Sequence, residues 1–246
     1  MTVENTRGPV VRLLVDPTRL WWGLLIAIGL LHVISLVGHV LHKGLGIEDQ
    51  WVIEWIMAFS VDHEQTLPTW FSVGMLAFVA FVAAEIAGAE RRNSSPLWWY
   101  WTLITVVFFY ISYDELASLH ERLGNFLAAR GLGGPFHYAW VVVAAPLALL
   151  FAVLMIRLLR TVPRRTAAMM VLAGALYVGG ALGGEIISGI GVDAGYGPDT
   201  LVGQLIVVGE ELFEMVGTAL FLVTILRHRD RVIPLDDAVQ LRQGVR

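Results

Sequence analysis

Apolar residues in this chain come in long blocks separated by short polar stretches. They do not follow the short period of a strand or of a surface helix. Six blocks, at about 20–42, 67–89, 97–119, 137–159, 167–190 and 201–226, reach the roughly 20 residues that cross a bilayer. An apolar run of that length in lipid must be helical, because a helix satisfies its own backbone polar groups. The period-two alternation of a membrane barrel is absent. The pattern predicts an all-α, polytopic membrane bundle of six transmembrane helices. Between the first two blocks, Trp51, Trp55, Ile56 and Phe59 recur at helical spacing over a stretch too short to span. That suits a short amphipathic helix at the outer interface. Residues 1–229 read as one transmembrane domain, and 230–246 as a polar cytoplasmic tail expected to be mobile. The first block follows a basic segment but lacks a small-residue cleavage pattern, so it is expected to remain as a helix.

The basic residues orient the bundle. Arg7, Arg12, Arg19, Arg91, Arg92, Arg157, Arg160, Arg164, Arg165, Arg227, Arg229, Arg231, Arg242 and Arg246 all fall on one side. Of the 17 basic residues, Lys43, Arg122 and Arg130 fall on the other. The positive-inside rule then predicts cytoplasmic N- and C-termini in the plasma (inner) membrane. The opposite side is acidic, with Glu48, Asp49, Glu54, Asp62, Glu64, Asp193 and Asp199. Trp21, Trp22, Trp70, Trp98, Trp99, Trp101 and Trp140 lie near block ends, as an interfacial anchor belt does.

Composition sharpens this picture. The chain is 57% hydrophobic and 15% charged, against about 25% charged for soluble domains. The net charge of −4 gives no reason to expect a nucleic-acid partner. With no cysteine, disulfides and thiolate metal ligands are excluded.

The candidate chemistry lies in polar residues that a spanning helix should not carry. A carboxylate at bilayer depth costs roughly 2.5–3.5 kcal/mol on insertion scales, so it is kept where it binds, relays protons or is paired. In the third block, Asp114, Ser118 and Glu121 fall on one stripe of a continuous helix, with Glu115 about 100° to one side and His120 about 120° to the other. Asp114 is then about 25 Å along the axis from Leu97, near the outer edge of the hydrocarbon. In the sixth block, Glu210, Glu211 and Glu214 share an arc of about 100°, and Glu210 is about 14 Å from the outer start. Three negative charges there require a cation or protons. Glu185 lies in the outer half of the fifth block. Beside it, Gly179 with Gly183, and Gly180 with Gly184, form small-xxx-small pairs that let another helix approach. His32, Ser35 and His39 share one face of the first block. Glu85, near the inner end of the second block, is expected to snorkel or to pair with Arg91 or Arg92. Pro146 predicts a kink in the fourth.

No Ser-His-Asp arrangement, phosphate loop, HExxH or EF-hand pattern occurs. Glu210-Glu211 resembles the EExxxR signature of intramembrane CAAX-type proteases, but Met215 stands where that family has Arg, which excludes the assignment. The acid and imidazole set is similar in ligand chemistry to the two-metal carboxylate sites of helical bundles, although no Glu-x-x-His occurs. Oxygen and nitrogen ligands without sulfur suit Zn, Fe or Mn. The expected metal ligands are drawn from Asp114, Glu121, Glu210, Glu214, His120, Glu185, His32 and His39, with Glu211 and Glu115 as catalytic carboxylates. Two classes fit: a metal-dependent membrane hydrolase or oxidoreductase acting on a lipid-like or periplasmic small molecule, and a proton- or divalent-cation-coupled transporter or channel. The inner halves of the blocks are almost wholly apolar apart from Glu85, which favours the one-sided site of an enzyme. A subunit whose acids pair with another chain is a third reading.

Overall fold

The computed structural model describes residues 16–132 and 138–233. Its regular elements are helical. Helix α1 (Pro17–His39) begins at an Asp16 cap, whose side chain accepts from the backbone N–H groups of Thr18 and Arg19. It ends in a π turn, Val40–Gly44. The remaining helices are α2 (Gln50–Phe59), α3 (Leu67–Arg92), α4 (Trp98–Ala117), α5 (Leu119–Ala128), α6 (Val141–Thr161), α7 (Arg164–Val178), α8 (Glu185–Asp193) and α9 (Leu201–Val232). A second π turn, Gly179–Gly184, joins α7 to α8 without a break.

Four helical segments are long and apolar enough to cross a membrane: Pro17–Gly44, Leu67–Arg92, Val141–Thr161 and Arg164–Asp193. A fifth counts if α4 and α5, bent by 72° relative to each other, form one path. Helix α9 is the longest at 32 residues, but its charged residues keep it out of that set. This is compatible with a membrane location.

Helix α9 is central. It packs against α1, α3, α7 and the Gly179–Gly184 turn, while α4 lies along α3 and α6 flanks α7. Contacts at both ends show the long helices running alternately up and down. At the basic end, Arg229 of α9 meets Glu85 of α3 at 3.2 Å, and Arg231 meets Thr166 of α7 at 3.4 Å. At the acidic end, Lys43 meets Asp199 at 3.6 Å, and Trp140 meets Glu185 at 2.9 Å.

The apolar core fills the basic half. Met215, Leu222, Ile225 and Leu226 of α9 pack there with Val79, Val82 and Ile86 of α3, Trp101 and Ile104 of α4, and Met170 and Ala173 of α7. Two expectations are corrected. Glu85 pairs with Arg229 instead of Arg91 or Arg92, because α9 passes closer to it than its own helix end does. Trp101 is 0% exposed and stacks on His228 at 5.1 Å, so it is a core residue and not an interfacial anchor. Trp22 and Trp70 are exposed, as an anchor belt requires. Helix α9 also runs on to Val232, past the expected start of the tail. The rest of that tail, and Arg7, Arg12, Arg242 and Arg246, lie outside the described residues.

The short α2 forms as expected. Val52 and Ile56 are buried and Trp51 is exposed. The Trp55 indole donates to the Ile34 carbonyl of α1 at 3.0 Å, so α2 is tied to the bundle at its acidic end.

Candidate metal centre

The site begins at a break in the helix. Ser118 adopts φ 51° and ψ 42°, in the left-handed region that non-glycine residues rarely occupy. The chain turns by 72° there. On a straight helix, Asp114 and His120 would project about 120° apart. The bend instead brings the imidazole back, and His120 Nδ1 lies 2.9 Å from Asp114 Oδ2. This corrects the expected stripe of Asp114, Ser118 and Glu121: Ser118 is the hinge, and α5 leaves in a new direction. With its Nδ1–H given to the carboxylate, His120 presents Nε2 as an acceptor. Metal-ligating imidazoles are commonly held this way.

Glu121, on the first turn of α5, and Glu64, in the loop between α2 and α3, meet this imidazole. One ligand atom from each of Glu64, His120 and Glu121 lies within 4.8 Å of the others. Partial burial, and then the neighbouring Glu121 carboxylate, push the Glu64 carboxyl above its usual range. Bringing two acids and an imidazole so close is unfavourable without a counter-charge, which a divalent cation supplies. The sequence reading counted Glu64 only among the outer-surface acids. No local spacing rule links it to His120.

Behind this group the acids continue inward. Glu115 of α4 is within electrostatic reach of His120, Glu64 and Asp114 on one side, and of Glu211 and Glu214 of α9 on the other. The Tyr177 hydroxyl donates to Glu214. Glu210 faces Glu185 and Asp62. On α9, Leu205, Leu212 and Phe213 are exposed on one side. At 100° per residue, Glu210, Glu211 and Glu214 project from the opposite side, toward the bundle interior. The acids thus form one network running from the α2–α3 loop to the middle of α9.

Glycine makes the close approach possible. A Cβ on Gly184 would sit 2.6 Å from the Glu210 side chain, and one on Gly180 would sit 2.8 Å from the Glu210 carbonyl oxygen and Glu214 Cγ. The other small pair, Gly179 and Gly183, meets nothing within 4 Å. The π turn over these residues adds a local irregularity of the kind often found at functional sites.

Trp140 links the two parts of the site. Its indole donates to Glu185 Oε1 at 2.9 Å, and its ring lies 5.1 Å from the His120 ring, tilted by 57°. Gly124 of α5 packs against it at 3.6 Å. This corrects the reading of Trp140 as a lipid anchor. Trp140→Phe is expected to keep the packing, remove the donor to Glu185 and weaken metal binding roughly tenfold, the lower end for an orienting partner. Competitive metal titration of the folded variant would check this, and an unchanged affinity would sink it.

The histidines of α1 are used differently. His32, Ser35 and His39 share a buried face as expected. His32 Nδ1 donates to the Ile28 carbonyl at 2.8 Å, His39 Nε2 lies 3.0 Å from Ser60 Oγ, and Ser35 Oγ accepts from the Val61 N–H at 3.1 Å. The stripe grips the chain as it leaves α2. Among the described residues, the three-atom group includes none of His32, His39, Asp114, Glu185, Glu210 or Glu214.

The fold and site together define an all-helical protein with several apolar helices and a carboxylate–histidine group at one end. The chain belongs to the family described as a domain of unknown function, DUF8692, whose profile matches residues 24–229. Among curated proteins and among solved structures, nothing matches the chain.

Proposed function

We propose that this protein is a six-span membrane enzyme of the plasma membrane that uses a divalent transition metal, Zn, Fe or Mn, at its acidic, outer end. Both termini are cytoplasmic. The observation that carries this reading is the meeting of Glu64, His120 and Glu121 within 4.8 Å, with His120 held by Asp114. Glu64 and Glu121 supply oxygens and His120 supplies Nε2, a donor set that suits these metals. A metal bound there would supply Lewis acidity, or lower the pKa of a bound water. Glu115 and Glu211, deeper in the same network, hold protons for the reaction. Glu185, Glu210 and Glu214 complete the polar wall.

Two features favour an enzyme over a proton- or cation-coupled transporter. The apolar core at the basic end interrupts the polar path below the α9 acids. The buried charges found past it, Glu85 and Arg229, are engaged with each other. A substrate therefore enters and leaves at the outer side, as a lipid-like molecule or a small solute of that compartment.

Elemental analysis of protein purified without chelator tests the metal. Well-folded protein that stays sub-stoichiometric when offered Zn, Fe and Mn would shift the assignment to proton or cation translocation. Reporter fusions test the topology. Those after Arg92 and Arg165 are expected to report cytoplasm, and one after Asp62 the outside. An outside signal after Arg165 would overturn the six-span orientation.

A further inference from the structure

Gln204, near the start of α9, is 4% exposed. Its Nε2 donates to the Pro198 carbonyl at 2.8 Å and to Asp62 Oδ2 at 3.4 Å. Two acceptors on the same nitrogen settle which way the amide faces. Its Oε1 is therefore a buried acceptor, and it has no hydrogen-bond partner. Buried acceptors in folded proteins are nearly always satisfied, so an unmet one points to a donor that binds there.

Asp62, which shares this amide, belongs to the acid network. It is within electrostatic reach of Glu185, Glu210 and Glu211, and of His39 on α1. The nearby bases are otherwise placed. Lys43 is engaged with Asp199 at 3.6 Å, and His63 Nδ1 lies 3.7 Å from Asp62 Oδ2, beyond hydrogen-bond length. Asp62 and Gln204 thus offer three side-chain oxygens and, apart from the amide already bonded, no donor. A primary ammonium carries three donors and no acceptor. A calcium ion needs six to eight oxygens, so these three suit it poorly. Leu201, Val202 and Leu205 of the same helix turn are apolar, and the last two are exposed.

We propose that Asp62 and Gln204 form a head-group subsite for a primary ammonium carried on an apolar tail, beside the metal group. The proposal rests on the reading that the outer end of the bundle receives a membrane-borne substrate, and it names the chemical class of that substrate. The ammonium donates to Gln204 Oε1 and to the Asp62 carboxylate, while the tail stays in the apolar surroundings.

The test uses full-length protein in nanodiscs and two probes of equal tail length, dodecylammonium and dodecyltrimethylammonium. Both carry the charge, and only the first has N–H donors. Saturable binding by equilibrium dialysis, corrected with empty nanodiscs, is expected to favour dodecylammonium by about tenfold or more, the scale of a hydrogen bond to a charged group. Gln204→Leu is expected to reduce that preference to about twofold or less. Asp62→Asn, at a partly exposed position that tolerates change, is expected to weaken dodecylammonium binding in the same way. Equal binding of the two probes by the wild type, or an unchanged preference in a folded Asp62→Asn variant, would overturn the subsite. Metal content is measured on the same samples. Stoichiometric metal with no ammonium preference sinks the subsite and leaves the metal reading standing. The preference without metal supports the subsite and removes the metal reading.

Discussion

His120→Ala is expected to lower divalent-metal affinity by at least about 100-fold while leaving the bundle folded. The ordinary loss on removing only an orienting partner is roughly 10–100-fold, and His120 is a proposed ligand. Asp114→Asn should fall inside that lower range, since it removes the carboxylate that holds Nδ1 at 2.9 Å. Glu210→Ala is expected to retain metal and lose activity, because Glu210 stands outside the three-atom group. Helix content by circular dichroism and metal content by mass spectrometry, on the same samples, separate these outcomes. His120→Ala protein that still carries a full equivalent of Zn, Fe or Mn would end the proposed centre.

The same centre predicts a pH dependence of known sign. Burial and the Glu121 charge favour the protonated form of Glu64, whereas a ligand to a dication must be ionised. Metal binding therefore releases protons, and apparent affinity rises with pH through the range where Glu64 and the imidazole deprotonate. Competition titrations at pH about 5.5 and 7.5 should show the weaker binding at the lower value. Equal affinity at both would argue that Glu64 is not a ligand.

The second large effect is on stability. Arg229 is 1% exposed and holds Glu85 at 3.2 Å, tying the end of α9 to α3. Arg229→Ala leaves the Glu85 carboxylate in a mostly apolar setting, and breaking a buried pair from one side costs about 3–5 kcal/mol. The melting temperature in detergent should fall sharply. The double variant Glu85→Leu with Arg229→Leu should recover much of the loss, because replacing both partners leaves no orphaned charge. A double variant no more stable than Arg229→Ala would show that the pair matters through something other than its mutual neutralisation. Arg229 also meets Asp230 at 3.1 Å, which this comparison leaves in place.

The helical class of the protein, and roughly where each long helix runs, were legible from residue order alone. Apolar blocks of spanning length have one regular solution in lipid, and the loops between them begin where polar residues cluster. The expected first, second, fifth and sixth blocks correspond closely to α1, α3, α7–α8 and α9. The α9 acids could be assigned to one arc because a helix has a fixed angular step, and the arc lies opposite exposed Leu212 and Phe213. The close approach at Gly180 and Gly184 was legible for a similar reason: small residues four apart leave a groove.

What residue order could not supply was any relation that depends on a break or on distant chain segments. Ser118 does not announce a left-handed hinge, so Asp114, His120 and Glu121 were placed on a straight helix. The bend changed which of them meet. Glu64 joins His120 only because the α2–α3 loop crosses over α5, and Glu85 finds Arg229 because α9 runs beside α3. Trp101 and Trp140 look alike as block-end tryptophans, yet one is sealed in the core and the other donates to Glu185. Periodicity constrains a side chain relative to its own helix axis. Which axis lies beside it, and therefore which charge it meets, is decided by packing among helices far apart in sequence.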